Sequence, residues 1–423
     1  MRRVTAQPAR ESLLRGTALI AVAMAVMNLG TYGFTIIAAR LLGPSEYGAL
    51  AAVMGLLLVV NVVSLGLQAT GARRVSAAPD DLDRIEVDIL TASYKSAIGV
   101  GLICLASVPV VSYVLRLDSW LTAGMIALTA IPLTIMGGQA GILQGERRWL
   151  PLAGIYLAMG LGRVVFGTIA LLLDPDTLGA MTGVAVGAVA PVIVGSLALR
   201  HRSRVASRAA RTGAETPGVG HSRRVIRELA HNSHALLAFF ALSNADVVIA
   251  RVMLDDQQGG LYAGGLILAK AVLFLPQFVV VVAFPSMSVA DARRSMTLKA
   301  LAMVLVMGVG ATLLAWRFPG LAVEFIGGDA YSELEPVIWA FAALGTVWAM
   351  LQLLVYNVVA RQSKRTVLLV WAAMLALVAL SPAVGSITFL LTMVLSIEGA
   401  LLLVLVLLSL RRTSGVPTGF TPS

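Results

Sequence analysis

Charged residues and cysteine are scarce in this sequence. Asp, Glu, Lys and Arg make up 13% of its 423 residues, about half the share of an average soluble domain. The one cysteine, Cys104, lies in an apolar run, so neither a disulfide nor Cys-X-X-Cys chemistry is available. The sequence also lacks a nucleotide-binding loop, a metal-ligand cluster and a nucleophile–base combination. We therefore predict a protein that is not an enzyme and that holds no metal and no cofactor.

Long apolar runs dominate the chain instead. Hydrophobic residues make up 58% of the sequence, and the mean hydropathy is +0.88. The runs are about 18–25 residues long, and about 20 helical residues cross a hydrocarbon core about 30 Å thick. A membrane β-barrel would show alternating segments of about 10 residues, and these do not occur here. The pattern predicts an all-α polytopic membrane protein.

Twelve transmembrane helices account for the apolar runs. The first run is too long for the core of a signal peptide and lacks a convincing cleavage site, so it is counted as a helix. The last two helices are separated by very few residues around Gly385. The predicted helices are Thr17–Ala39, Tyr47–Thr70, Ser93–Leu115, Trp120–Leu143, Leu150–Leu173, Leu178–Leu199, Ser233–Leu254, Tyr262–Val289, Leu298–Trp316, Pro336–Ala360, Val367–Val384 and Ser386–Leu410.

Lysine and arginine alternate between the loops in a way that indicates an orientation. With the N-terminus in the cytoplasm, all but six of the 32 basic residues fall in cytoplasmic loops or at the termini. Basic residues concentrate on the cytoplasmic side of membrane proteins, so we expect both termini there. The net charge of +10 is then a topology signal that contacts membrane lipids, and no nucleic-acid partner is expected. The six exceptions are Arg40, Arg116, Arg251 and Arg317 on the opposite side and Arg163 and Lys270 within helices.

One long polar stretch divides the chain into two halves of six helices. It predicts an N-terminal lobe at 1–199, a basic cytoplasmic linker at 200–230, a C-terminal lobe at 231–411 and a cytoplasmic tail at 412–423. The histidines in and beside the linker lack the spacing and acidic partners of a metal site. We interpret the stretch as a solvated connection between two lobes.

The two halves resemble each other at equivalent places. Similar sequence follows the first helix of each half, at 39–48 and 250–263, and the fourth helix of each half, at 144–148 and 360–365. Repeats that start on the same side are related by an axis along the membrane normal, and their substrates bind at the repeat interface near the midplane. We therefore expect an internal duplication with a site between the lobes.

Charges also interrupt the helices at membrane depth. Helix seven contains Asn244, Asp246 and Arg251, and helix eight contains Lys270. A charge at the bilayer centre costs about 2.5–3.5 kcal/mol on insertion scales, so retained charges usually face a protein interior or a watery cavity. These residues predict a transporter with a charged internal path.

Short motifs recur in a fixed order along most of the chain. They are ARLLGPSEYG at 39–48, Gly66, RR at 73–74, LQGERR at 143–148, NAD at 244–246, GLY at 260–262, FP at 284–285, FIGGDAY at 325–331 and Pro336. In order and spacing they resemble the polysaccharide-exporter (O-antigen flippase) branch of the multidrug/oligosaccharidyl-lipid/polysaccharide (MOP) superfamily, whose polysaccharide exporters have twelve helices.

The resemblance implies a fold and a substrate. It implies two six-helix lobes, related by a pseudo-twofold axis and arranged as a V around a central cavity. It also implies a polyprenyl-diphosphate-linked oligosaccharide as substrate, alternating access across the cytoplasmic membrane, and polysaccharide polymerase or assembly proteins as partners. This chain departs from the family in having few basic residues placed to line the cavity, namely Lys270, Arg163, Arg40 and Arg251.

Two cations within helices are candidates to bind such a substrate. Diphosphate oxygens accept strong charge-assisted hydrogen bonds from Arg and Lys. Lys270 lies about eight residues, or about 12 Å, inside helix eight, a depth that favours the cavity over an anchor at the membrane interface. Arg163 lies near the middle of helix five. Arg163 has an equal alternative, a buried ion pair with Asp246 at similar depth. Asp246 is also a candidate for coupling transport to an ion gradient, the alternative being a permanent partner of Arg163 or Lys270.

Four further residues complete the candidate site. Glu398 in helix twelve has no nearby partner in the sequence and is a second candidate for ion coupling. Asn244 is expected to line the cavity. Arg40 and Arg251 occupy equivalent places of the two repeats near the outer rim, where they could bind glycan or phosphate or contact lipid headgroups.

Other functions fit parts of the pattern. A multidrug or ion antiporter of the same superfamily is the nearest alternative. A major-facilitator carrier would resemble G-x-x-x-D-R-x-G-R-R after helix two, whereas residues 71–79 read GARRVSAAP. A lipid-linked glycan polymerase would need a large outer loop, and the longest outer connection here is about 317–335. Loss of a surface glycan in cells without the protein would distinguish the flippase from the antiporter.

Overall fold

The described part of the protein is almost entirely helical. The computed structural model describes residues 7–211, 219–283, 293–361 and 364–411, and these ranges contain no β-strand. Inside a bilayer no water satisfies backbone N–H and C=O groups, so apolar runs fold into helices whose hydrogen bonds close within each segment. The predicted all-α membrane fold is confirmed.

Fourteen α-helices follow one another along the described ranges. They are α1 Gln7–Val60, α2 Val62–Ala77, α3 Leu82–Val114, α4 Trp120–Gly145, α5 Trp149–Leu173, α6 Thr177–Gly187, α7 Val189–Arg211, α8 Val219–Met253, α9 Asp256–Ala283, α10 Arg293–Arg317, α11 Pro319–Ile326, α12 Ile338–Arg361, α13 Lys364–Leu380 and α14 Ile387–Arg411. A 3₁₀ segment, Gly328–Leu334, lies between α11 and α12.

These helices correspond to the twelve predicted crossings. In the described part of the chain, eight helical stretches are long and apolar enough to span a membrane, and the first, Ala18–Ala77, has 60 residues. That length is enough for two crossings. The bent pair of Gly328–Leu334 and Ile338–Leu354 counts as a further span, and the two other predicted crossings overlap the shorter apolar helix Val367–Ala383 and helix α9.

The first two crossings are separated by a single kink. Gly43 has φ 69° and ψ 177°, a backbone conformation that glycine adopts without a steric penalty. Pro44 follows and begins the second crossing, where its missing N–H removes no helical hydrogen bond. The sequence had predicted a connection from residue 40 to residue 46, and the structure confines it to Gly43.

Helices also extend into the segment predicted as a linker. Helix α7 continues to Arg211 and α8 begins at Val219, so much of 200–230 is helical. The predicted sixth crossing is broken at Ala188, between α6 and α7. Residues 212–218, the FP motif at 284–285, the predicted end of helix eight and the tail at 412–423 lie outside the described residues.

The two halves of the chain pack against each other along the first helix. Helix α1 contacts α8 and α9, and α2 and α3 contact α8. Small residues permit this approach: a Cβ on Gly48 of α1 would lie 2.8 Å from Cα of Gly260 in α9. The lobe interface is therefore formed mainly by α1, α2 and α3 on one side and α8 and α9 on the other, and α1 also contacts α11 and the 3₁₀ segment.

Small residues also bring helices together within the N-terminal lobe. A Cβ on Gly141 of α4 would lie 2.6 Å from the backbone oxygen of Gln68 in α2, and one on Gly137 would lie 2.3 Å from the backbone oxygen of Ser64. Side chains at these positions would push the backbones apart. The α2–α4 contact therefore depends on the glycines.

Candidate functional site

A cavity of about 140 Å³ lies between the two lobes. Helices α1 and α5 contribute its N-terminal wall, and α8 and α9 contribute its C-terminal wall. Its lining residues are Thr31, Tyr32, Phe34, Thr35, Tyr47, Leu50, Ala51, Met54, Leu58, Arg163, Val247, Ala263, Leu266, Ile267, Lys270 and Phe274.

The cavity contains one cation from each lobe. Arg163 of α5 and Lys270 of α9 both line it, and no Asp or Glu is among the described lining residues. Arg163 is 9% exposed and forms no hydrogen bond or ion pair with any described residue. The ion pair between Arg163 and Asp246, weighed from the sequence, is therefore not present. An unpaired guanidinium at this depth is expensive, so its presence points to a ligand of opposite charge.

Hydroxyl groups lie beside the two cations. Thr31 and Thr35 occupy successive turns of α1, and the hydroxyl of Thr35 donates to the backbone oxygen of Thr31 at 3.0 Å. The hydroxyl of Tyr32 is buried, and its O–H has no hydrogen-bond acceptor within the described ranges. Its ring packs edge-on against Phe274 with the centroids 6.4 Å apart. Tyr32 thus offers the cavity a donor that the protein does not use.

Asp246 lies behind the cavity wall rather than on it. Its side chain is fully buried, and Oδ2 accepts a hydrogen bond from the hydroxyl of Tyr262 at 3.0 Å. Oδ1 accepts from the backbone N–H of Val247, a lining residue, at 2.9 Å. Asp246 also interacts electrostatically with Lys270, the alternative partner considered from the sequence. The acid is thus linked to the cavity through Lys270 and Val247.

Glu398 of the last helix, α14, forms a buried acidic cluster with Asp246. Its side chain is fully buried, and Oε2 accepts a hydrogen bond from the indole N–H of Trp348 at 2.5 Å. Oε1 has no partner among the described residues. Glu398 interacts electrostatically with Asp246, so the two predicted coupling residues belong to one buried cluster in the C-terminal lobe.

The other three predicted binding residues lie away from the cavity lining. Asn244 is 4% exposed, and its Nδ2 donates to the backbone oxygen of Phe240 at 2.9 Å. The guanidinium of Arg40 donates to the backbone oxygen of Glu324 at 2.6 Å and to its carboxylate at 3.2 Å. Arg251 is buried at the rim, where its donors go to backbone oxygens and a carboxylate.

Sequence reasoning missed the partners of the predicted charges. Tyr32, Tyr262 and Trp348 are aromatic residues within apolar runs, and nothing in the sequence separates them from ordinary core residues. The spacing of Thr31 and Thr35, one helical turn apart, was a usable signal for a polar face. The arrangement that results can bind an anion between the lobes and hold a proton in the C-terminal lobe.

The profile of the family described as "Polysaccharide biosynthesis protein" matches residues 13–290. None of the curated protein sequences matches this chain.

Solved transporters share the fold at low sequence identity. A MATE family multidrug resistance transporter of the MOP superfamily in an inward-facing conformation is 13% identical, with a TM-score of 0.64 over 94% of this chain and 100% of that chain. One in an outward-facing conformation is 14% identical, with a TM-score of 0.65 over 96% of each chain. The eukaryotic MATE transporter AtDTX14 is 14% identical, with a TM-score of 0.57 over 96% of this chain and 98% of that chain. The shared fold is two six-helix lobes arranged as a V around a central cavity.

Proposed function

Because the chain belongs to the polysaccharide biosynthesis protein family and is a membrane transporter of the MOP superfamily, we propose that it flips a polyprenyl-diphosphate-linked oligosaccharide across the cytoplasmic membrane. No covalent bond changes in this process. The protein must supply a polar passage for the diphosphate and the sugars while the prenyl chain stays in lipid.

The charge of the cavity is the observation that carries the proposal. Arg163 and Lys270 line one cavity from opposite lobes, and the described lining residues include no acid. Phosphate oxygens form charge-assisted hydrogen bonds with both side chains, and the fork of an arginine can bind two oxygens at once. A diphosphate between the lobes would therefore satisfy the unpaired guanidinium of Arg163. The hydroxyl of Tyr32 supplies a further donor.

The size of the cavity requires movement. Pockets that enclose a drug-sized ligand have volumes of about 300–1,000 Å³, and this cavity has about 140 Å³. It can hold one group of the substrate, and the rest requires the lobes to separate. Since Arg163 and Lys270 belong to different lobes, separation to one side would release the diphosphate toward that side. This is alternating access at a midplane site.

The buried acidic cluster supports coupling to an ion gradient. Asp246 and Glu398 interact within an apolar interior, where two negative charges cannot both be accommodated cheaply. A proton or a cation taken up by this cluster changes the charge that Lys270 faces. Uptake would then alter how strongly Lys270 holds an anionic substrate.

The basic residues of the loops support a location in the cytoplasmic membrane and the partners proposed on each side of it. On the positive-inside orientation, both termini lie in the cytoplasm, and the substrate enters from that side. The enzymes that build the oligosaccharide would supply it there, and polymerase or assembly proteins would receive it on the other side.

A multidrug antiporter is the second candidate, since the solved structures with this fold are described as multidrug transporters. Many exported drugs are cations, and two positive side chains without a neighbouring lining acid disfavour a cation at the cavity. The anionic substrate is therefore the better match.

Reconstitution tests the proposal directly. Purified protein in liposomes that contain a lipid-linked oligosaccharide is expected to expose to an external glycosidase the fraction of substrate initially in the inner leaflet. Protein-free liposomes are the control. If the same liposomes transport a cationic dye and leave the inner-leaflet oligosaccharide protected, the antiporter is correct and the flippase is wrong.

A further inference from the structure

Two arginines at the outer rim each donate hydrogen bonds to the C-terminal end of a helix in the opposite lobe. Arg116 follows the end of α3 in the N-terminal lobe, and Arg251 lies in the last turn of α8 in the C-terminal lobe. The last carbonyls of any helix have no partner within the helix and carry partial negative charge. Both helix ends therefore need donors, and each receives an arginine from across the lobe interface.

Arg251 binds the end of α3. Its Nε donates to the backbone oxygen of Leu115 at 2.9 Å, and its Nη2 donates to the backbone oxygen of Arg116 at 3.1 Å. Its Nη1 lies 3.4 Å from the backbone oxygen of Ser45, in the first rim turn of the N-terminal lobe. The side chain is 5% exposed, so these contacts are shielded from solvent.

Arg116 binds the end of α8 in return. Its Nη2 donates to the backbone oxygen of Leu254 at 2.7 Å and to the backbone oxygen of Arg251. The backbone of Arg116 has φ 49°, a left-handed conformation that is uncommon for residues other than glycine. Such conformations persist where surrounding contacts over-determine them, and they concentrate at clamps and switches.

One carboxylate connects the two arginines. Oδ1 of Asp256 lies 3.2 Å from Nη2 of Arg116 and 3.1 Å from Nη1 of Arg251. Asp256 begins α9, the helix that also supplies Lys270, and a negative side chain in the first turn of a helix is favourable. We call Arg116, Arg251 and Asp256 the rim clasp.

The backbones beside the rim clasp are in direct contact. A Cβ on Gly260 would lie 1.8 Å from the backbone oxygen of Pro44. On the same rim, the hydroxyl of Tyr331 donates to the backbone oxygen of Ala39 at 3.3 Å, and Arg40 pairs with Glu324 at 3.2 Å. The lobes are thus closed at this rim by several contacts, and within the rim clasp the side chain of Arg251 is buried, whereas those of Arg116 and Asp256 are partly exposed.

We propose that the rim clasp is the gate that holds the cavity shut on the side opposite the cytoplasm, and that it must open in every transport cycle. Apart from the pair of Arg251 and Asp256, which both belong to the C-terminal lobe, its donors and acceptors lie in different lobes, so lobe separation at this rim breaks those contacts together. The argument is independent of the substrate, and it gives Arg251 a role in gating in place of the binding role expected from the sequence.

Accessibility of the cavity tests the gate without any substrate. Thr35 lines the cavity, and Thr35→Cys in a Cys104→Ala background provides one thiol there. Labelling by a membrane-impermeant maleimide is measured from the outer side in right-side-out vesicles and from the cytoplasmic side in inverted vesicles. With the rim clasp intact, outer labelling is expected to be slow.

Removing the rim clasp is expected to open the outer side. Arg251→Ala, or Arg116→Gly, which also suits the left-handed backbone, should raise the outer labelling rate by about tenfold or more, equivalent to about 1.4 kcal/mol. Labelling from the cytoplasmic side should fall correspondingly. Arg317→Ala is the matched control, because Arg317 is an exposed arginine on the same side that stacks on Phe318 and takes no part in the rim clasp.

Two results would overturn the proposal. One is an outer labelling rate that stays at the parental value in both variants. The other is an equal increase in Arg317→Ala, which would indicate a general loosening. If a charge deletion prevents folding, Asp256→Asn keeps the shape of the shared acceptor and should give a smaller increase of the same sign. The outcome of this labelling test does not depend on whether the protein flips the oligosaccharide in liposomes.

Discussion

The unpaired arginine of the cavity leads to a prediction that separates a binding role from a structural one. Arg163 is 9% exposed and has no partner within the described part of the chain. A buried charge without a partner destabilises the fold, because the apolar surroundings do not replace its hydration. Arg163→Met keeps a long apolar side chain and removes the charge. We expect the ligand-free variant to unfold at a higher temperature than the parent protein and to bind substrate less tightly.

The loss of affinity can be bounded from the contacts that the cavity offers. A hydrogen bond to a charged group contributes about 1.5–3 kcal/mol, which is about 10- to 150-fold in affinity at about 1.4 kcal/mol per tenfold. Lys270→Met should give a loss of the same order. Because both side chains bind the same diphosphate in the proposed complex, their effects should couple, and the double variant should lose at least as much affinity as the more affected single variant.

Calorimetric titration of the detergent-solubilised protein with a short-chain polyprenyl-diphosphate oligosaccharide measures these affinities, and a thermal scan measures the unfolding midpoint. Arg40→Ala is the matched control, since Arg40 was a candidate from the sequence but contacts Glu324 away from the cavity. A lower unfolding midpoint in Arg163→Met, with unchanged affinity, would show that Arg163 is structural and refute the reasoning.

Three further predictions concern the acidic cluster and the helix packing. Asp246→Asn can keep the hydrogen bond from Tyr262 and removes the charge, so flipping in liposomes should lose its dependence on an imposed pH gradient. In the parent protein, one proton per cycle allows about tenfold accumulation of substrate per pH unit. An unchanged dependence in the variant would argue against coupling. Trp348→Phe leaves the buried carboxylate of Glu398 without its indole donor. This single variant should therefore lower the thermal unfolding midpoint by more than the double variant Trp348→Phe, Glu398→Gln does. Gly141→Ala places a Cβ against the α2 backbone and should cost about 1–3 kcal/mol, whereas Gly124→Ala in the same helix meets open space and should be neutral or stabilising in the same thermal scan.

The helices were predictable because a bilayer imposes both their length and their internal hydrogen bonding. Each predicted crossing overlaps a helix of the structure, and the main differences are at the ends. Gly43 shows why ends are harder to predict: a single glycine in a permissive backbone conformation replaces a connection of several residues. Likewise, α8 begins at Val219, well before the apolar run that predicted it, because polar residues can continue a helix beyond the membrane.

The sequence predicts how far along its helix each charged residue lies, but not which way its side chain points. Counting residues along a helix predicts that Arg163 and Lys270 lie inside the membrane and Arg251 near the rim, and the structure places Arg163 and Lys270 in one cavity and Arg251 outside its lining. The count does not say which way a side chain points or which helix of the other lobe faces it. Arg251 therefore looked like a binding residue by its symmetry with Arg40, whereas its actual partners are the end of α3 and Asp256.

Arg116 is a second residue whose contacts the sequence does not predict. In the sequence it was one of four basic residues on the outer side, with nothing to distinguish it from an ordinary headgroup contact. Its role follows from the end of α8 lying opposite, where the backbone oxygens of Arg251 and Leu254 lack helical partners. Contacts of this kind depend on how two lobes meet, which no local pattern encodes.

The location of lipid-linked oligosaccharide in cells that lack this protein tests the central claim most directly. The deletion strain should accumulate the polyprenyl-diphosphate oligosaccharide on the cytoplasmic face, protected from a glycosidase added outside, and should lose the surface polysaccharide. The intact gene should restore both phenotypes, and the Arg163→Met, Lys270→Met double variant should not. Normal surface polysaccharide without a trapped intermediate would contradict the account.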